Sequence, residues 1–135
     1  MGPRYLLDTN ICIYIRQRRP DAVLRRFRKL RLGEAGLSVI TYGELFYGAA
    51  KSQQRSLALN QLHELVYLLP ALPMPENAAE AYGNIRAELE SRGEMIGNND
   101  LWIAAHALSM GLTLVTNNER EFRRVRRLKV QNWAL

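Results

Sequence analysis

An α/β fold, with a central parallel sheet of four to five short strands between layers of helix, follows from three features of this 135-residue chain. Short apolar runs near residues 5–7, 37–40 and 111–116 end in polar residues and read as buried strands. Longer segments between them repeat their apolar residues at helical spacing. The two kinds alternate from end to end, as they do when parallel strands are joined by helical crossovers. At 15.5 kDa, with no linker, repeat or low-complexity stretch, residues 1–135 are expected to form one domain with a proper core.

The first strand, Tyr5-Leu6-Leu7, runs straight into Asp8-Thr9-Asn10. An acid just past the carboxyl end of a central parallel strand stands where open α/β sheets bind ligands. Its competing role is to cap the next helix. That helix is expected over Ile11 to Arg18, with Ile11 and Ile15 one turn apart. A second runs from Pro20-Asp21 to Leu30, with Val23, Leu24, Phe27 and Leu30 inward and Arg25, Arg26, Arg28 and Lys29 outward. Gly33 and Gly36 break the chain before the strand Leu37-Ser38-Val39-Ile40. Thr41 and Glu44 then match a capping box, a sufficient structural role for Glu44. Its position, beyond a strand and within a first helical turn as for Asp8, keeps a chemical role open.

Residues 52–69 read as a long helix with Leu57, Leu62, Leu65 and Leu69 on its apolar side and His63 at the surface or the core edge. A short strand fits near Ala71 to Met74, followed by a helix from Pro75-Glu76 to Ser91 that buries Ala79, Tyr82, Ile85 and Leu89 and exposes Glu88 and Glu90. Met74, Met95 and Met110 read as gap-filling core residues. Gly97, Asn98 and Asn99 form a turn and cap before a small-residue helix. Asp100 falls in its first turn, where an acid gains roughly 0.3–1 kcal/mol from the helix dipole. His106, about two turns on, points away from Asp100 and reads as structural. The strand at 111–116 leads into Asn117-Asn118, then a short helix with Glu119, Glu121 and Phe122, and an edge strand within 128–133.

Charge is distributed unevenly. Residues 1–31 carry +7, residues 32–119 carry −6 and residues 120–135 carry +5, and sixteen of the nineteen basic residues are Arg. Arg suits bidentate contact with phosphate. Basic ends around an acidic middle therefore read as a nucleic-acid footprint with acids inside it, Arg123, Arg124, Arg126 and Arg127 forming the terminal part. An acidic protein partner is the competing reading. No apolar run approaches the ~20 residues of a membrane span, and the N-terminus lacks the features of a signal peptide. Cys12 is the sole cysteine, which excludes an internal disulfide and fits a cytoplasmic protein.

Asp8, Glu44, Asp100, and Asn118 with Glu119 and Glu121, recur after strands or at helix starts. Carboxylates crowded into one crevice raise one another's pKa values. A hard divalent cation, Mg²⁺ or Mn²⁺, relieves that repulsion and activates water toward a phosphodiester. No phosphate-binding loop, Gly-x-Ser-x-Gly elbow or pair of histidines at metal-ligand spacing is present.

Four stretches carry a family resemblance: 6–10 (LLDTN), 38–45 (SVITYGEL), 96–107 (IGNNDLWIAAHA), and 114–118 (LVTNN) through Glu121-Phe122. Together, in this order, they resemble PIN-domain endoribonucleases, specifically the VapC toxins of type II toxin–antitoxin pairs. The resemblance implies a PIN-like α/β/α sandwich and Mg²⁺-dependent hydrolysis of cellular RNA, tRNA included. It implies metal ligation by Asp8, Glu44 and Asp100, with Thr9, Thr116 and Asn118 in support. It also implies a homodimer and a VapB-like antitoxin that covers the site. An extended antitoxin segment along the basic rim, anchored on Leu45-Phe46-Tyr47, is the expected mode. Many family members carry Asp where this chain has Asn118, so the fourth catalytic acid falls to Glu121, with Glu119 as the alternative. Two other functions compete. One is a non-catalytic nucleic-acid-binding module whose acids are helix caps. The other is a phospho-acceptor receiver domain using Asp8, which lacks the lysine expected after a late strand, since Lys129 is the only late lysine and follows none.

Overall fold

The computed structural model describes residues 2–135. Strand β1 (Tyr5–Leu7) forms the centre of a five-stranded parallel sheet of order β3-β2-β1-β4-β5. Its neighbours are β2 (Ala35–Ser38) and β4 (Thr113–Val115), with β3 (Ala71–Leu72) and β5 (Val130–Gln131) at the edges. Leu6 stands opposite Gly36 on one side and Leu114 on the other. The chain builds outward through β2 and β3, then returns to the far side of β1 for β4, which opens a crevice at the carboxyl ends of the central strands.

Successive side chains of a strand face opposite ways, and β1 uses both faces. Tyr5 and Leu7 join one core with Ile11, Val23, Leu62 and Trp133, while Leu6 joins a second with Ile85, Leu101, Ile103 and Phe122. Helices α1 (Thr9–Gln17), α2 (Asp21–Arg28) and α4 (Arg55–Leu68) cover the first face. Helices α5 (Ala78–Ser91), α6 (Asn98–Ser109) and the single turn α7 (Glu119–Phe122) cover the second. Helix α3 (Val39–Ala50) contributes to both, Leu45 and Ala49 to the first core and Ile40 to the second. This is the α/β/α sandwich that the alternation of elements predicts. Gly36 is required by the close approach of β3, since a Cβ there would lie 2.8 Å from the Pro70 carbonyl oxygen.

Several expectations are corrected. Strand β2 ends at Ser38 rather than Ile40, and Ser38 caps α3 by accepting the Ile40 amide at 3.1 Å. Leu57 is 52% exposed and the buried face of α4 is Leu62 and Leu65, continued by Leu69. On α5 the buried alanine is Ala78, not Ala79. Met95 and Met110 are exposed rather than core-filling. Of the expected turn and cap, Gly97 takes the cap position of α6, and Asn98 and Asn99 are its first two helical residues. His63 lies at the surface, as one of its two expected placements has it.

Candidate active site

Asp8 sits at the exit of β1, where its amide still donates to the Val115 carbonyl of β4 at 3.0 Å. One carboxylate oxygen caps α1 by accepting the Ile11 amide at 3.0 Å. The other accepts the Thr116 hydroxyl at 2.5 Å. The side chain is therefore a helix cap and also a fixed acid at the base of the crevice, only 5% exposed. Burial raises its pKa, against the lowering effect of the Thr116 and Ile11 hydrogen bonds, and the charge of Glu44 raises it further.

Glu44 is not in a capping box. Helix α3 begins at Val39, so Glu44 lies in its second turn and Thr41 is a buried helical residue. The cap that gave Glu44 a structural role thus belongs to Ser38. Glu44 Oε1 accepts the Thr9 hydroxyl at 2.6 Å, and Oε2 accepts the Asn99 side-chain amide at 3.4 Å. Thr9 follows Asp8 and Asn99 precedes Asp100, so Glu44 is tied directly to the neighbours of both other acids. Sequence reasoning misses Asn99 as a site residue; its only signal there is adjacency to Asp100.

Asp100 occupies the first turn of α6, as its spacing predicts. Its pKa is pushed up from 3.8 to about 7, first by burial, then by a hydrogen bond with Glu121 and by the charges of Glu121, Asp8 and Glu44. All four acids therefore act on one crevice. Glu121 goes the other way. Burial works against its charged form, but hydrogen bonds from Asn118, Asp100 and the Gly97 amide hold its pKa below the ordinary value. The Asn118 amide group donates to Glu121 at 2.7 Å, and the Asn118 backbone N–H donates to Thr116 at 2.8 Å. Of this pair, Asp100 therefore holds a proton more tightly than Glu121 does.

Glu119 faces elsewhere, pairing with Arg123 at 2.6 Å and accepting from Asn132. Arg126 pairs with Glu88 at 3.2 Å, and Arg124 donates to the Met95 carbonyl at 3.0 Å. Arg124, Arg126 and Arg127 line a groove of about 400 Å³ with Asn77, Glu88 and Ser109. Ser109 ends α6, roughly 13 Å of helix from Asp100. A second groove, about 350 Å³, opens beside Glu44 and includes Thr9, Arg16, Ser52 and Gln61. Sequence reasoning misses Arg16 as well, because it is one arginine among many in the N-terminal third. Leu45 is buried and unavailable as an anchor, whereas Phe46 and Tyr47 are exposed.

The PIN-domain family pattern matches residues 5–128. The chain belongs to the PIN-domain family. Among curated relatives, "Ribonuclease VapC2" of Haemophilus influenzae is 45% identical over 131 residues, covering 97% of this chain and 98% of the relative. The "tRNA(fMet)-specific endonuclease VapC" of Shigella flexneri is 42% identical over 131 residues, with coverage of 97% and 98%. Among solved structures, VapBC-1 from nontypeable Haemophilus influenzae superposes with a TM-score of 0.90 at 39% identity, covering 97% of this chain and 98% of that one. DNA-bound VapBC from Salmonella typhimurium gives 0.91 at 38% identity, with coverage of 98% and 99%. This PIN domain is thus of the VapC type from end to end.

PIN-domain ribonucleases are in general divalent-metal dependent. The donor set of this PIN domain fits such an ion: all its charged members are hard oxygen ligands, and the repulsion that raises the Asp100 pKa is what a cation would relieve. Among the described residues no three Asp, Glu, His or Cys side chains are gathered closely enough to cage an ion by themselves. A hard divalent cation keeps several waters and needs only one or two carboxylates in direct contact, so the open arrangement suits it.

Proposed function

We propose that this chain is the Mg²⁺-dependent endoribonuclease toxin of a type II toxin–antitoxin pair. The observation that carries the reading is the gathering of Asp8, Glu44, Asp100 and Glu121 at the carboxyl end of the sheet, with the Asp100 pKa raised to about 7. In this reading Asp8, Glu44 and Asp100 hold the ion, one or two of them directly and the rest through its waters, with Mn²⁺ as a competent substitute. Bound Mg²⁺ supplies an acidified water and neutralises charge on the scissile phosphodiester. The protein does the positioning. Thr116 and the start of α1 fix the two oxygens of Asp8. Thr9 and Asn99 fix those of Glu44. Asn118 and the Gly97 amide hold Glu121 against Asp100, where it takes the part of the fourth acid.

RNA is the substrate, as the names of the relatives state for those proteins, and tRNA is the class the Shigella relative points to. Arg16 beside Glu44 and the uncompensated members of the Arg123–Arg127 cluster are the backbone-binding groups. The partner is a VapB-like antitoxin, as in the complexes this fold resembles. The exposed Val39, Phe46 and Tyr47 on α3, with the half-buried Tyr42, form an uncharged patch suited to a homodimer. No helix among the described residues is long and apolar enough to cross a membrane, and the proposed site of action is the cytoplasm, where the RNA is. Expressed alone in a bacterium, the chain is expected to arrest growth, and its Asp8→Asn variant is not. Free growth with intact RNA under wild-type expression would defeat the toxin reading.

A further inference from the structure

We infer that the buried Ser38–His106 pair is a positioning device that pins α3 to α6 and thereby sets Glu44 against Asp100. The inference rests on those carboxylates being the nuclease site. Both side chains are fully buried, and His106 Nδ1 lies 2.8 Å from Ser38 Oγ. Ser38 Oγ already accepts the Ile40 amide, and Nδ1 is the only acceptor its proton meets among the described residues. The hydroxyl therefore donates, Nδ1 accepts, and the ring proton sits on Nε2.

Packing alone gives no reason for a histidine here. Nε2 makes no hydrogen bond of normal geometry, although the Pro73 carbonyl acts on the ring. A buried donor with so poor a partner carries a cost that a leucine at this site would avoid. The neighbours of His106 on α6, Ala104, Ala105 and Ala107, are apolar and fully buried. The reason for the imidazole is its other nitrogen, which ties the cap of one helix to the last turn of another.

The geometry explains why that tie matters. Glu44 lies six residues beyond Ser38, and Asp100 six residues before His106. Each carboxylate thus rides an arm of about 9 Å of helix from the pin. A swing of ~10° at the pin moves a carboxylate by about 1.5 Å, and a misplacement of about 1 Å costs on the order of 100-fold in rate. The side-chain hydrogen bonds of Ser38 and His106 reach none of the four acids, so the pair acts through the helices.

The test compares His106→Leu with His106→Asn in an RNA-cleavage assay, alongside thermal melts. Asn keeps an acceptor close to the position of Nδ1; Leu removes it but fills the apolar site better. The expected result is a kcat lowered about 10- to 100-fold in His106→Leu, with KM for RNA within about two-fold of wild type. His106→Asn is expected to recover at least ten-fold of a 100-fold loss, despite a lower Tm than His106→Leu. A histidine that merely supports the fold would give the reverse order of activity, following Tm, and that order would overturn the inference. Wild-type activity in His106→Leu would overturn it too. Asp100→Asn in the same assay separates the two readings, because full activity there defeats the site itself. Should neither His106 variant fold, ring ¹⁵N spectra of the wild-type chain decide: the Nε2–H tautomer is expected, and Nδ1–H would overturn the assigned bond.

Discussion

Replacing Asp100 by Asn separates the two roles open to this acid by the sign of a stability change. As a helix-start acid, Asp100 stabilises α6 by roughly 0.3–1 kcal/mol when ionised, and Asp100→Asn would be less stable than wild type at pH 8. As one of several crowded carboxylates, it does the opposite. Its folded pKa of about 7 exceeds the ordinary 3.8, so the folded state holds the proton more tightly than the unfolded chain. The stabilisation tied to that proton is complete below about pH 4 and is lost as pH rises through about 7. A shift of this size is worth at most ~4 kcal/mol for a fully buried acid. Asp100 is half-buried, and solvent screening leaves roughly 1–2 kcal/mol. Without divalent metal, Asp100→Asn is therefore expected to be more stable than wild type by about that amount at pH 8, and by less at pH 5. Urea denaturation in EDTA at the two pH values reads this directly. Saturating Mg²⁺ should restore wild-type stability at pH 8 and leave the variant unchanged. A variant destabilised equally at both pH values would refute the crowding argument and return Asp100 to a helix-start role.

Asp8→Asn and Glu44→Gln are each expected to lower RNA cleavage by at least 100-fold with circular dichroism unchanged; native rates from a folded variant would remove that residue from the ligand set. Asn is itself a good cap, so Asp8→Asn should cost little through α1. Charge reversal of Arg123, Arg124, Arg126 and Arg127 together is expected to flatten the salt dependence of RNA binding, the log–log slope falling by roughly 0.7 for each phosphate released. Because Arg123 and Arg126 already face Glu119 and Glu88, the total change should not exceed that of about two phosphates, and an unchanged slope would assign the cluster to a protein partner.

The central strand and Asp8 are legible in the sequence because an apolar triplet running into an acid leaves little choice of element. Asp100 is legible for the same kind of reason, a glycine and two asparagines before a small-residue helix. Glu44 is obscured by a competing pattern. Val39, Ile40 and Thr41 are β-branched and extend the strand on paper, which moves the helix start to Thr41 and turns Glu44 into its cap. Tertiary contacts override that propensity: the Ser38 hydroxyl caps the helix from inside the core, and Thr41 is buried within reach of Thr9. The choice between Glu119 and Glu121 stays open in the sequence because two residues apart on one helical turn place them on different faces, and only the position of α6 says which face is the crevice. The partners of Arg126 and Glu44, 38 and 55 residues away in the chain, carry no local signal at all.

A metal-dependent ribonuclease built on Asp8, Glu44 and Asp100 is tested most directly by incubating the purified chain with total RNA in Mg²⁺, in EDTA, and in Mg²⁺ with the Asp8→Asn variant. Discrete cleavage products are expected in the first reaction alone. Cleavage that persists in EDTA, or that Asp8→Asn carries out at the wild-type rate, would contradict it.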